Sequence, residues 1–371
     1  ANDFDSGDQY FKKLGERIDY NNTNQINWLG GYAQAEYTKD RFTAYGTAGY
    51  SVIKYFLTDH FTNDGGSEKE IKSDFIGGYQ VKGGVSYRVN TDLSVYANGG
   101  YVSKVPIFDQ VIDDITTTLV EDYTNETFLS GELGMNWSLL NKKLNINANL
   151  YYTTWENRST SRNVLNADGS EGVVYLNGIA QTHMGIEFDF AYQPINFFRL
   201  DGAGSYGSWK YNEDVNGSYV KDISAGTREP FDFFIKDLKV GDAPQTQFAL
   251  AASVFPIKGL QTQIVWRMYD NYYANFDPFS RSDANDREQV WKIPSYSIFD
   301  LHFAYNLPVQ FGDFTIFAHV FNVLNELYVA DATDNSQYNG YSANGTSHKA
   351  DDAEIYPGLP TTFNLGASVR F

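Results

Sequence analysis

The side chains that could do chemistry are few and scattered. The five histidines, His60, His183, His302, His319 and His348, include no i,i+4 pair of the kind that sets two imidazoles on one helix face for zinc. The absence of cysteine removes thiolate metal sites and disulfide scaffolds. No nucleophile–base constellation, phosphate loop or pair of catalytic carboxylates is visible, so the chain reads as a non-enzyme with no cofactor and no metal centre. Carboxylates do concentrate. Residues 105–124 hold Asp109, Asp113, Asp114, Glu121 and Asp122 with no Lys or Arg, and residues 326–360 hold Glu326, Asp331, Asp334, Asp351, Asp352 and Glu354 against Lys349. Carboxylate oxygens suit calcium. The spacing does not fit a compact calcium loop, and solvated acidic loops account for these stretches. The remaining candidates are rings and one guanidinium: Tyr151, Trp155, Arg267 and Tyr269, with Tyr272 and Tyr273 nearby. They could stack on a sugar or an aromatic ligand; the same residue types form the interfacial girdle of a membrane barrel.

What positions these residues is a series of strands with strict alternation. Leu144, Ile146, Ala148, Leu150 and Tyr152 share one face, while Asn145, Asn147, Asn149 and Tyr151 share the other. Successive inward asparagines are costly in a dry core and cheap against water. Before them, Leu129, Leu133, Met135 and Trp137 oppose Ser130, Glu132 and Asn136. Leu260, Ile264, Trp266 and Met268 oppose Gln261, Gln263, Arg267 and Tyr269, and Phe363, Leu365, Ala367, Val369 and Phe371 oppose Thr362, Asn364, Ser368 and Arg370. Composition agrees: 28 Tyr and 27 Phe beside 32 Gly suit twisted antiparallel strands. With 42% hydrophobic and 20% charged residues, disorder is excluded. No run approaches the roughly 18 apolar residues of a membrane helix. A mean hydropathy of −0.42 is what a two-faced barrel wall with polar loops averages to. The net charge of −18 argues against nucleic acid as a partner.

Connections fall into two kinds. Tight polar turns are predicted at Lys39-Asp40-Arg41, Asn90-Thr91-Asp92, Asn141-Lys142-Lys143, Pro194-Ile195-Asn196, Ile257-Lys258-Gly259 and Phe311-Gly312-Asp313. Long connections are predicted at 58–70, 105–124, 158–171, 212–243, 272–291 and 326–360, with a hairpin tip at Asn166-Ala167-Asp168-Gly169-Ser170. Short turns at one rim and long loops at the other describe an outer-membrane barrel. About thirteen strands result, from near Ile26 to Phe371. Counting back through the turns, the first strand runs from the outside towards the periplasm, whereas a self-contained barrel has an even strand number and both ends in the periplasm. Residues 1–24 are therefore expected to be the tail of an extracellular loop and residues 25–371 the C-terminal portion of a barrel. Ala1 leads into Asn2-Asp3-Phe4-Asp5 with no leader, so either processing removed one or the sequence starts inside a longer protein.

The terminus Asn364-x-Gly366-x-x-Val369-x-Phe371 is similar to the signal read by the outer-membrane assembly machinery. An apolar outer face ending on an aromatic residue can pair by strand addition. Several further segments resemble the barrel of TonB-dependent receptors, particularly those of Bacteroidetes. Asn27-Trp28-Leu29-Gly30-Gly31-Tyr32-Ala33-Gln34-Ala35-Glu36-Tyr37 looks like that family's GGFAQAEY-type strand. Tyr55-Phe56-Leu57-Thr58-Asp59-His60-Phe61 looks like its YxRxDxF segment, with Leu57 in place of the basic residue. Phe321-Asn322-Val323-Leu324-Asn325-Glu326-Leu327-Tyr328 is similar to its NLFN-x-x-Y element, and residues 356–363 to its proline-led approach into the closing strand.

The resemblance implies an all-β transmembrane antiparallel barrel in the outer membrane of a Gram-negative bacterium. About 13 strands of a probable 22 would lie in this chain, and the plug domain outside it. It implies active uptake of a scarce nutrient such as a siderophore, glycan or peptide. The implied partners are the TonB-ExbB-ExbD complex acting through the absent plug, N-terminal barrel strands or a companion chain, a surface lipoprotein, and outer-membrane lipid. A passive porin-like channel, or an adhesin or structural barrel, are the competing readings. Closure of the chain on itself, with Phe363–Phe371 pairing to residues 26–37, would favour the porin.

Overall fold

Period-two patterning and turn chemistry combine in the computed structural model into one antiparallel sheet. The structure describes residues 13–15, 17, 21–64, 67–114, 117–120, 123–165, 171–220, 228–309, 312–335 and 348–370. Thirteen strands follow one another in sequence and in space: β1 Asn22–Lys39, β2 Phe42–Asp64, β3 Ile76–Arg88, β4 Leu93–Lys104, β5 Glu126–Leu139, β6 Leu144–Leu165, β7 Glu171–Ile195, β8 Phe198–Tyr211, β9 Thr246–Val254, β10 Leu260–Asp270, β11 Tyr296–Val309, β12 Gly312–Phe321 and β13 Thr362–Arg370. The thirteen predicted strands are all present. Among the described residues, β1 and β13 are the two ends of this path and do not pair with each other. The first strand begins at Asn22, a few residues earlier than expected; residues 1–12, and with them most of the expected loop tail, lie outside the described residues.

The tight turns fall at one rim. Asp40, Leu140, Asn141 and Lys142 take φ of 54°, 53°, 56° and 66°, and Gly259 takes 86°, the left-handed geometry that tight reversals need. Asn90 Oδ1 accepts from the backbone N–H of Asp92 and Leu93 at 2.8 and 2.9 Å, closing an Asx turn. Lys143 Nζ donates to the Pro194 carbonyl at 2.7 Å and links neighbouring hairpins along this rim.

At the other rim the expected loops at 58–70 and 158–171 prove to be largely strand. Residues 67–72 pair back onto β2, and β6 and β7 pair as far as Leu165 with Glu171. Both hairpins run well past the roughly 9–11 residues that cross a bilayer. Alternation marks where apolar residues stop, not where backbone pairing stops, and here pairing continues. The predicted tip at 166–170 lies outside the described residues. Residues 212–243 contain a further hairpin, Val215–Val220 with Arg228–Phe233, which pairs onto β7.

The two faces differ completely. Across eight strands one register row reads Tyr37, Ala44, Val85, Ala97, Leu133, Leu150, Ile186, Tyr206. Leu133 and Leu150 are 60% and 54% exposed, an apolar surface too wide for a water-facing wall. On the opposite face Asn147 donates to Asp189 at 2.8 Å and Asn149 to Glu187 at 3.2 Å. The buried hydrophobic clusters sit instead at the long-connection rim. One gathers Leu176, Tyr211, Phe233, Ile235 and Phe276, another Tyr55, Leu57, Val111 and Ile112, and a third Tyr272, Ala274, Ile293 and Ala332. The long connections thus carry a core of their own.

Candidate functional site

The polar face is where the sheet presents its chemistry. The cross-strand row Asn149, Glu187, Ser205, Gln247, Tyr269, Tyr296 joins β6 to β11. Tyr151, Trp155, Arg267 and Tyr269 all lie on this face, as predicted from alternation. The fold gathers them into two groups rather than one. Four strand spacings separate β6 from β10, on the order of 19 Å along the sheet.

The first group is built on glycines. Tyr151 lies opposite Gly185 and its ring reaches across to Gly207; a Cβ there would meet the Tyr151 hydroxyl at 2.8 and 3.1 Å respectively. Trp209 Nε1 donates to the Tyr151 hydroxyl at 2.8 Å, and His183 packs 5.5 Å from the Trp209 ring. Towards the long-connection rim, Trp155 packs on Phe128 with centroids 4.9 Å apart and carries the Arg158 guanidinium 4.7 Å above its ring. The Gly185→Ala variant is expected to destabilise the sheet by about 1–3 kcal/mol, because its Cβ would also lie 2.5 Å from the Tyr206 carbonyl oxygen. Gly131, with nothing within 4 Å of its Cβ position, is the matched control. The temperature at which each variant loses its folded gel mobility compares them, and equal losses would contradict the cradle.

In the second group Arg267 pairs with Asp300, which is 2% exposed and also accepts from the Asn322 backbone N–H at 2.9 Å. Beside it Tyr296 stacks on Tyr328 with centroids 4.4 Å apart, and Tyr269 packs at a tilt on the other side of Tyr296 with centroids 5.0 Å apart. Arg267 is therefore held by a buried carboxylate, and the tyrosine ladder is the part of this group able to accept a planar ligand by stacking. Asp300 and Tyr296 alternate onto the polar face of β11, a signal present in the sequence. Trp209 and Tyr328 are brought in by cross-strand register and by the last long connection, which alternation does not reveal.

The long connections are tied to one another. Arg287 grips Asp214 through two hydrogen bonds of 2.7 and 2.9 Å, and this guanidinium holds the Asp214 carboxyl below its usual range. Tyr272 donates to the Ala330 carbonyl at 2.9 Å; burial, with Asp331 alongside, pushes its hydroxyl pKa upwards. Arg281, Asp286, Asp334 and His348 form a buried ionic knot. Arg281 reaches Asp334 and Asp286 at 3.2 and 3.4 Å, while His348 contacts the same carboxylates at 2.6 Å through Nδ1 and 2.9 Å through Nε2. Asp334, expected to be a solvated loop carboxylate, is thus fully buried, because Arg281 and His348 supply the charge that solvent would have supplied.

The terminal motif sits on the closing strand of the path. Asn364 lies opposite His319, Gly366 opposite Phe317, and Val369 opposite Phe314 on the apolar face. The Phe317 ring covers Gly366, where a Cβ would lie 2.3 Å from it, so cross-strand packing by itself demands glycine there. Phe371 lies outside the described residues.

A model of the family described as TonB dependent receptor-like, beta-barrel matches residues 1–323. No curated protein matches the sequence. Among solved structures, the ferric-catecholate import receptor Fiu from E. coli K12 is similar at 16% identity and a TM-score of 0.59, over 94% of this chain and 45% of that one. The ferric citrate transporter FecA shares 14% identity at a TM-score of 0.63, over 96% and 47%. The ferric yersiniabactin uptake receptor FyuA from Yersinia pestis shares 14% at 0.62, over 94% and 46%. The chain thus spans just under half the length of each, and at these identities the likeness is one of fold.

Proposed function

This chain belongs to the TonB-dependent receptor-like β-barrel family, and we propose that it forms the later wall strands of an outer-membrane receptor that actively imports a scarce nutrient. The observation that carries the reading is the thirteen-strand path that does not close among the described residues, apolar on one face and polar on the other. Each unpaired backbone group facing hydrocarbon costs several kcal/mol, so in a bilayer the outer edges of β1 and β13 need partners. Strands outside this sequence supply them in this reading, and the polar face then lines a lumen filled by a plug. Coupling would run through that plug to the TonB-ExbB-ExbD complex. The tied connections would form the outer mouth, where a surface lipoprotein could deliver cargo. Tyr151, Trp155 and the Tyr269–Tyr296–Tyr328 ladder are the ligand contacts that this arrangement favours, within the chemical range of siderophores, glycans and peptides.

The test compares energy-coupled uptake with passive leakage. A strain that depends on this receptor for its nutrient is expected to stop accumulating it when TonB is deleted, and the full-length protein in a planar bilayer is expected to show no steady pore. A steady conductance without TonB would overturn the receptor reading in favour of a passive channel.

A further inference from the structure

The β11–β12 hairpin sets His302 directly opposite His319, with their Nδ1 atoms 2.9 Å apart. Both imidazoles lie on the polar face, half-buried. Phe321 stands 5.7 and 6.1 Å from the two rings, and Phe317 5.5 Å from His319. The flanking register positions carry neutral amides, Gln263 beside His302 and Asn364 beside His319. Without a metal, this contact needs one Nδ1 to keep its proton and donate it to the other. When both rings instead carry their proton on Nε2, each Nδ1 offers a lone pair, and the two donor atoms stand 2.9 Å apart. Two ligands bound at about 2.0–2.1 Å and at right angles to each other stand about 2.9 Å apart. The observed separation, ordinary for an N–H···N hydrogen bond, also matches two adjacent corners of a square-planar or octahedral centre and is shorter than a tetrahedral centre would need. Imidazole nitrogen and tetragonal geometry together select Cu(II) or Ni(II).

We propose that His302 and His319 form a cis-bidentate site for a divalent transition-metal ion of the Cu(II)/Ni(II) kind on the polar face of the sheet. Binding requires both imidazoles in the Nε2–H form, so the Nδ1 proton of the pair transfers through solvent to Nε2 of its own ring and the neutral pair loses no net proton. Among the described residues no group of three or more His, Cys, Asp or Glu side chains could hold a metal ion, so water or a bound ligand completes the coordination. Arg267, on the same polar face, is already paired with Asp300. The site stands on the two imidazoles alone and does not depend on the import reading.

The experiment is titration of the full-length, tag-free protein in detergent with copper sulfate, followed by electron paramagnetic resonance. One Cu(II) per chain with two equatorial nitrogens is expected. His302→Ala and His319→Ala should each weaken binding by more than about tenfold, since loss of even an outer-shell partner of a metal ligand costs about 10–100-fold. His60, His183 and His348, left in place, report adventitious binding. A second measurement needs no variant: in the unaltered protein, Cu(II) should protect His302 and His319 together from carbethoxylation, read by mass spectrometry. A copper signal that survives both substitutions, or protection that spares this pair, would overturn the site.

Discussion

Replacing Asp334 by alanine is expected to loosen the long-connection cap by about 3–5 kcal/mol, the cost of leaving a buried charge without its partner. Arg281, Asp334 and His348 have side chains with 0% exposure, and Asp286 has 4%. Removing one carboxylate strands Arg281 and His348 against the single remaining Asp286. The cost should appear as faster proteolysis within residues 271–295 and 322–361, with the wall strands unaffected. A variant as resistant as the parent would show that the knot does not hold the cap.

The same knot has a definite pH dependence. Both ring nitrogens of His348 face carboxylate oxygens, which the doubly protonated imidazolium satisfies, while Arg281 Nη2 also stands 3.1 Å from Nδ1. Burial works against that charge, yet the hydrogen bond and charge of Asp334, aided by Asp286 and opposed by Arg281, raise its pKa above the ordinary value. A raised folded-state pKa contributes stability that is fully present below the unfolded value of about 6.5 and is lost as pH rises through the folded value. The cap should therefore be tightest in mildly acidic solution and open progressively in alkali. His348→Gln should flatten that profile. Proteolysis rates at a series of pH values, normalised to an unfolded reference peptide, measure it; an identical slope in the two proteins would defeat the assignment.

Ala148→Arg is expected to cost about 2–4 kcal/mol if the position lies near the bilayer midplane, whereas Asn147→Arg should be mild. Ala148 sits on the apolar face with Met135 and Phe188 as its cross-strand neighbours. One residue away, Asn147 points to the other side and already contacts Asp189, which would accept an arginine. Reversible unfolding in lipid compares them. Equal costs would mean that the two faces have been assigned wrongly.

Most of the wall was legible in the sequence because the signals for it are local. The alternation through residues 144–152 needs only the period of a strand, and the turns at Asp40, Asn90 and Asn141 need only turn-forming residues. From these follow the thirteen strands, the short-turn rim and the placement of Tyr151, Trp155, Arg267 and Tyr269 on one face. Register is less forgiving. The turn predicted at 311–313 overlaps β12, which pairs with β11 up to Val309 opposite Gly312, and a hairpin doubles such an offset. His302 would then oppose residue 322 rather than His319, so the histidine pair stayed hidden although both residues were in view. The lengths of β6 and β7 were likewise invisible, because backbone pairing continues where apolar alternation stops.

The ionic knot lay wholly beyond local reading. Arg281 and Asp286 come from one long connection, Asp334 and His348 from another. Only packing of the two connections, through Phe276 paired beside Asp334, brings the four together. Hydrophobic period and turn chemistry are properties of a few neighbouring residues, and the sequence alone determined whatever depends on them. Contacts between loops depend on which buried charges can neutralise one another in space, and only the tertiary structure decided those.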